Sequence, residues 1–358
     1  MAYPLIQKKR KFRDILLLIV DKIRIKKDTN YSRNLIIPSP YKQIFSNKNQ
    51  TESHPKKSQK ENAVSNLTVQ QFLEMIQKQN ITGLGGGGFP TAQKIMAFLA
   101  SKSPTKRVLI NGVECDPGLV HDAHILKEHH HEIEQGLEVL RTLFQPQEMV
   151  LALTNQAGFW KNAHAMQIPH HYPSGQEHRL IETVFQIPIP TSEPPAHHGI
   201  LVLNVQTLLQ IYETVASSEY KSHRFVTVGN LETGMAQVLR VAPGTTSQEA
   251  VDQAFPGQTV SHVGGGIMQG REAQGNEIVD GSIPFIGVKG APQLQAKDCR
   301  KCLQCNVHCP QGLDVQSIME TKQGDAASCL QCGSCSYVCP AHINVCAKIT
   351  AVKESISA

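Results

Sequence analysis

The chain has 358 residues, enough for two or three domains and a sizeable core. Its net charge of +5 is uneven: residues 1–60 hold 15 Lys/Arg against 4 Asp/Glu, and the remainder holds 20 against 26. No apolar run approaches the roughly 20 residues of a membrane-spanning helix. The run Ile15–Val20 is followed by no small-residue cleavage site, so a cytoplasmic protein without a secretory leader is expected. Eight of the ten cysteines fall between Cys299 and Cys339, which points to metal rather than to a disulfide framework.

Residues 1–66 read as a basic N-terminal arm and linker. Within it, Lys11 to Lys27 has the spacing of an amphipathic helix, with Phe12, Ile15, Leu16, Ile19 and Ile23 on one face, and residues 28–66 are polar. Such an arm suits an anionic membrane surface. It lacks aromatic interleaving and any nucleic-acid-binding motif, so no nucleic acid is expected as a partner. Order begins at Thr68, which with Gln71 makes a capping-box pattern ahead of Val69, Phe72, Leu73 and Ile76. Arg107–Asn111, Met149–Leu153 and Leu201–Asn204 read as short buried strands. Helices follow Pro90, His124, Gln156, Gln176 and Val205, and the alternation predicts an α/β sheet over 67–216. Over 220–290, Phe225–Gly229, Met235–Val241 and Val260–Val263 read as strands around a helix at Ser247–Phe255, the pattern of a small β-grasp module.

Residues 293–358 contain the cysteine pattern twice. The first run is Cys299-x2-Cys302-x2-Cys305-x3-Cys309-Pro310 and the second is Cys329-x2-Cys332-x2-Cys335-x3-Cys339-Pro340. This is the spacing of bacterial two-cluster ferredoxins: three thiolates of one run wrap a 4Fe-4S cluster, and the fourth comes from the other run. The two ligand sets are therefore Cys299, Cys302, Cys305 and Cys339, and Cys329, Cys332, Cys335 and Cys309. Structural zinc uses four ligands, often as two separated pairs, and fits two Pro-closed runs of four poorly. Cys115 and Cys346 fall outside the pattern and are expected to be buried, inert thiols. In Glu128-His129-His130-His131-Glu132, adjacent side chains point around a helix rather than converge, so a solvated face is expected.

Residues 83–94, Gly-Leu-Gly-Gly-Gly-Gly-Phe-Pro-Thr-Ala-Gln-Lys, form a glycine loop opening into a helix, with Pro90 suited to its first turn. Backbone N–H groups and a helix N-terminus favour a phosphate, and Lys94 adds a cation. A flexible turn explains the glycines equally well. The strand after the loop ends in Asn111-Gly112-Val113-Glu114-Cys115-Asp116-Pro117-Gly118, polar groups at the end where open α/β sheets bind ligands.

The loop, this strand end, Tyr172-Pro173-Ser174-Gly175-Gln176-Glu177 and Leu203-Asn204-Val205-Gln206-Thr207 occur in an order that resembles the C component of Rnf-type ion-translocating oxidoreductases. More distantly, it resembles the flavin-carrying subunit of respiratory complex I. The resemblance covers about residues 68–345. It implies an α/β flavin-binding Rossmann-like domain, a small β-grasp (SLBB) module and a two-cluster ferredoxin-like α-helical domain. It also implies FMN and NAD(H) beside two 4Fe-4S clusters. By position, Gly85, Gly86, Gly88, Lys94, Asn111, Glu114, Asn204 and Thr207 would line the FMN pocket. Glu177 would face the nicotinamide nucleotide, and Glu114 is the candidate catalytic residue. Gly87 and His124 depart from the family's usual residues, and Val113 stands where the complex I subunit has an acid but Rnf relatives are apolar. The implied role is an electron-transfer subunit of a membrane-associated, ion-translocating oxidoreductase. It would work with the complex's other subunits and with ferredoxin-like or flavin electron carriers, peripherally at the cytoplasmic face of the bacterial inner membrane. Two alternatives are a soluble reductase of the cobalamin-reductase type and an electron relay without flavin.

Overall fold

The computed structural model describes residues 42–43, 67–154, 160, 164–217, 223–288 and 296–357. The expected helices at 11–27 and after Gln156 lie outside the described residues. Of the linker, only Lys42–Gln43 is described, as a two-residue strand, β1.

The first body is an α/β unit. Helix α1 (Val69–Lys78) starts at the expected capping box, with Thr68 and Gln71 each satisfying the other's backbone N–H. The glycine loop follows, then α2 (Thr91–Ala100), β2 (Arg107–Gly112), α3 (His121–Glu128), α4 (His130–Phe144), β3 (Glu148–Thr154), β4 (Ala165–Ile168), α5 (Glu177–Phe185), β5 (Ile200–Asn204) and α6 (Val205–Ala216). The sheet order is β4-β3-β2-β5, and every pairing is parallel. A parallel sheet covered on both faces needs strands that are apolar throughout. Val108 and Ile110 of β2 and Leu201 and Leu203 of β5 enter one core, with Phe72, Phe98 and Phe144 of α1, α2 and α4. Leu109, Ile200 and Val202 point the other way, onto Leu180 and Ile181 of α5. The strand edge β4 was not expected from the sequence. It has four residues, of which Met166 and Gln167 are exposed, so it carries little apolar signal.

The second body holds β6 (Arg224–Asn230), β7 (Met235–Val241), α7 (Ser247–Ala254), β8 (Val260–Gly264), β9 (Gly270–Glu272) and β10 (Phe285–Val288). Its sheet order is β1-β7-β6-β10-β8-β9. Strand β10 runs parallel to β6 and antiparallel to β8, and α7 packs Ala250, Val251 and Ala254 against the sheet.

The cysteine-rich end consists of α8 (Gln304–Val307), α9 (Val315–Thr321), α10 (Ser334–Tyr337) and α11 (Val345–Ser357). Its two halves repeat with an offset of 30 residues. Lys301 and Leu303 have positive φ in the first half, as Gln331 and Gly333 do in the second. Asn306 Oδ1 accepts from Gln316 N at 2.9 Å, and Ser336 Oγ accepts from Cys346 N at 2.8 Å.

One carboxylate bonds the first body to a loop of the second that in turn packs on the third. Asp116, 6 % exposed, follows β2 and accepts from Gly118 N, Ile267 N and Met268 N at 2.8, 3.0 and 3.0 Å. Met268 then packs with Leu330, Cys332 and Tyr172. Gln269 Nε2 donates to Gln331 O at 2.7 Å. A Cβ at Gly333 would lie 2.0 Å from Met268 O, so only glycine fits where this loop meets the second cysteine run. An unpaired buried donor costs about 1–3 kcal/mol, and Asp116→Ala strands at least two. Urea unfolding of that variant is expected to show a loss of about 3 kcal/mol or more.

Candidate functional site: a glycine-loop crevice and two thiol pockets

The α/β sheet changes direction between β2 and β5: the chain moves outward through β3 and β4, then returns to the other side of β2. Open α/β sheets bind ligands at such a switch point, beyond the carboxyl ends of the strands. Asn111 and Asn204 stand at the carboxyl ends of those two strands, and they are paired in register. The glycine loop is tied above them. Leu84 N donates to Thr207 Oγ1 at 3.0 Å, and a Cβ at Gly85 would lie 3.2 Å from Asn204 Cβ. Gly86 and Gly88 take φ values of +94° and +60°. The N–H groups of Gly83, Leu84 and Gly88 are bonded within the protein. Those of Gly85, Gly86 and Gly87 have no partner among the described residues. Three consecutive amides ahead of a helix N-terminus make an anion cradle, so the loop fits a phosphate-bearing cofactor. Lys94, one turn into α2, bonds Glu177 at 3.0 and 3.3 Å and Val202 O at 3.2 Å.

The remaining candidates are held by the protein itself. Asn111 Nδ2 donates to Gly175 O at 2.8 Å, and its Oδ1 accepts from Val113 N at 2.9 Å. Asn204 caps α6 through Gln206 N and donates to Asp122 Oδ2 at 2.7 Å. Thr207 is fully buried beneath the loop. Glu114, 7 % exposed, accepts from Asp122 N and Ala123 N at 2.9 and 3.2 Å, so its carboxylate faces the N-terminus of α3.

A buried acidic group that the sequence did not reveal surrounds Glu114. One ligand-type atom each from Glu114, His121 and Asp122 lies within 4.8 Å of the others. Burial, and then the neighbouring Asp122, push the Glu114 carboxyl well up; burial does the same to Asp122. Burial and the nearby Arg224 drive His121 down to about 3, so its ring is neutral at pH 7. His121 Nδ1 lies 2.9 Å from Thr227 Oγ1, which ties this cluster to β6.

Two further pockets lie in the cysteine-rich end. One is lined by Cys299, Cys302, Cys305 and Cys339, with Gln316 also in its wall. The other is lined by Cys309, Cys329, Cys332 and Cys335. Each pocket takes three thiols from one run and the fourth from the other. That donor set suits a cluster with four iron corners. Cys346, expected to be an inert thiol away from the ligands, lies instead in the wall of the second pocket. The 30-residue repeat was the sequence signal for it: position 346 corresponds to 316, which lines the first pocket. Cys115 accepts from Gly175 N at 3.3 Å, and burial raises its thiol to about 12, as suits an unreactive side chain.

The pockets differ in surroundings. Cys299 and Cys302 are exposed, whereas Cys332 is buried. The second run is bonded to the α/β body: Tyr172 Oη donates to Cys332 O, and Thr191 Oγ1 to Ala327 O. Lys353 Nζ donates to Cys329 O at 2.9 Å. The histidine run breaks at His129, between α3 and α4. His129 sits 5.3 Å from the Phe225 ring, and His130 and His131 lie toward solvent, in keeping with a solvated face.

Residues 76–213 match the Nuo51 FMN-binding domain family. The C component of the ion-translocating oxidoreductase complex of Vibrio cholerae O395 is 33% identical over 172 residues, covering 45% of this chain and 22% of that protein. Its counterpart from Haemophilus influenzae PittEE is 29% identical over 282 residues, covering 71% of this chain and 41% of that protein. Over these stretches the chain is similar in sequence to that component. It spans about a fifth to two-fifths of the length of these curated relatives. Among solved structures, the NAD+-reducing NiFe-hydrogenase in the air-oxidized state superposes with a TM-score of 0.54 at 16% identity, over 96% of this chain and 64% of the other. That likeness extends to the fold. No described helix is long and apolar enough to cross a membrane.

The raised carboxyls carry a pH signature. In the unfolded chain, Glu114 and Asp122 release their protons near about pH 4. In the folded chain they retain them to higher pH, so folding binds protons and stability falls as pH rises from there through the raised values. The melting temperature is expected to decline over that range. Asp122→Asn, which keeps an acceptor for Asn204, is expected to flatten the decline, measured by thermal unfolding from pH 5 to 8.

Proposed function

We propose that the chain is an electron-transfer subunit of a membrane-associated, ion-translocating oxidoreductase, passing electrons between NAD(H), FMN and two 4Fe-4S clusters. The observation that carries this reading is the pair of thiol pockets, each with three cysteines of one run and one of the other, the second of them packed against the α/β body that bears the glycine loop. FMN, when bound, would accept two electrons from a nicotinamide and release them singly, which suits one-electron clusters.

In this reading Gly85, Gly86 and Gly88 shape the loop that holds the FMN phosphate, with Lys94 countering its charge. Asn111, Asn204 and Thr207 keep the loop and the strand ends at a fixed spacing. Glu177 approaches the nicotinamide side and, in its present pairing, holds Lys94 against the α5 terminus. Glu114 has both oxygens occupied by backbone N–H groups, so its contribution is to position α3 and to set the charge of the buried wall. We assign one cluster to Cys299, Cys302, Cys305 and Cys339, and the other to Cys329, Cys332, Cys335 and Cys309.

The contacts suggest an order. The second site is bonded to the α/β body and receives electrons from it first. The first site, with two exposed cysteines, hands them to a partner. Partners are other subunits of the complex and ferredoxin-like or flavin carriers. The basic arm holds the chain on an anionic membrane surface, peripherally at the cytoplasmic face of the bacterial inner membrane. The strand order β7-β6-β10-β8, with α7 across one face, supports the β-grasp (SLBB) reading of the middle module.

Anaerobic titration of the reconstituted chain with NADH tests the proposal. Flavin absorbance is expected to bleach and iron–sulfur absorbance to follow. Loaded clusters with no bleaching would rule out NADH oxidation by this chain. Lys94→Ala is expected to weaken FMN retention about ten- to a hundred-fold, the equivalent of one charged hydrogen bond, read by equilibrium dialysis.

A further inference from the structure

The second thiol pocket holds one sulfur more than a four-iron cluster needs: Cys309, Cys329, Cys332, Cys335 and Cys346 all line it. Cys346 is the second residue of α11. Its backbone N–H is fixed by Ser336 Oγ at 2.8 Å. Its side chain lines the same pocket wall as Cys335 and Gly333. The first turn of α11 thus places a fifth cysteine in the pocket with Cys335. The first half of the repeat supplies the comparison. Gln316 occupies the corresponding place on α9, makes the corresponding backbone bond to Asn306 and lines the first pocket, where it offers no thiol.

We propose that Cys346 is a reserve ligand of the second cluster site, standing beside Cys335 and able to take over its iron corner. The inference rests on the two-cluster reading above. The exchange is balanced: the Cys346 sulfur gives up its proton and forms an Fe–S bond, while the Cys335–iron bond breaks and that sulfur takes a proton. No electron moves. Thiolates are the ligands in such sites, and a fifth thiol already in the wall of the same pocket stands within the cavity where the Cys335 corner would lie. The device suits the site nearer the α/β body, because losing that cluster would cut the path between the two.

The test is iron and acid-labile sulfide per chain, with low-temperature EPR of the dithionite-reduced protein, on the full chain and its variants. The unaltered chain is expected to hold about eight irons, and Cys346→Gln, which copies the first half, also about eight. Cys305→Ala, in a pocket lined by no fifth cysteine, is expected to fall to about four. Its counterpart Cys335→Ala is expected to keep about eight, with the EPR signal of one cluster displaced, and to fall to about four when Cys346→Gln is added. The inference is overturned if Cys335→Ala loses iron as Cys305→Ala does, or if adding Cys346→Gln changes nothing. Fewer than about eight irons in the unaltered chain would instead remove the two-cluster reading, and the inference with it.

Discussion

The three bodies of this molecule depend on the buried Asp116 carboxylate. It lies at the end of a central strand of the α/β sheet and satisfies two backbone N–H groups of the loop at 267–268, which belongs to the second body. That loop is the surface on which the second cysteine run rests, through Met268, Gln269 and Gly333. A carboxylate accepting several backbone N–H groups is a strong, directional anchor in a site poor in water. Here it fixes the relative position of the glycine loop and the second thiol pocket.

The second pocket is bonded to its surroundings at several points. Tyr172, Thr191 and Lys353 all bond to carbonyl groups of the second cysteine run or its approach, and Cys332 is buried in the junction. The first pocket has no such ties to the α/β body among the described residues, and two of its cysteines face solvent. One repeat has thus been placed in two environments, one an internal junction and the other an outer surface.

The crevice at the glycine loop follows a similar logic. Asn111, Asn204 and Thr207 direct their side-chain groups to backbone and neighbouring side chains. They work as the frame of the crevice. The amides of Gly85, Gly86 and Gly87 have no partner among the described residues. Beneath them, Glu114, Asp122 and neutral His121 form a buried polar layer whose charge responds to pH.

Strands β2, β3 and β5 were legible in the sequence because a parallel strand covered on both faces is an unbroken apolar run. The capping box at Thr68 marked a helix start by its local pattern. The grouping of eight cysteines, three from one run with one from the other, was legible because two-run ferredoxin spacing has that arrangement, and the two pockets group them the same way. Strands β4 and β10 escaped because each has only four residues, one exposed at an edge and the other interrupted by Gly287. What only the tertiary structure decided are contacts between residues far apart in the chain. Asp116 meets Met268 across 152 residues and Tyr172 meets Cys332 across 160. Cys346, outside the ligand spacing, reaches the pocket because α11 packs its first turn against it. Spacing records what a short loop can wrap by itself. Neighbours brought together by packing depend on the whole core, and a local pattern carries no trace of them.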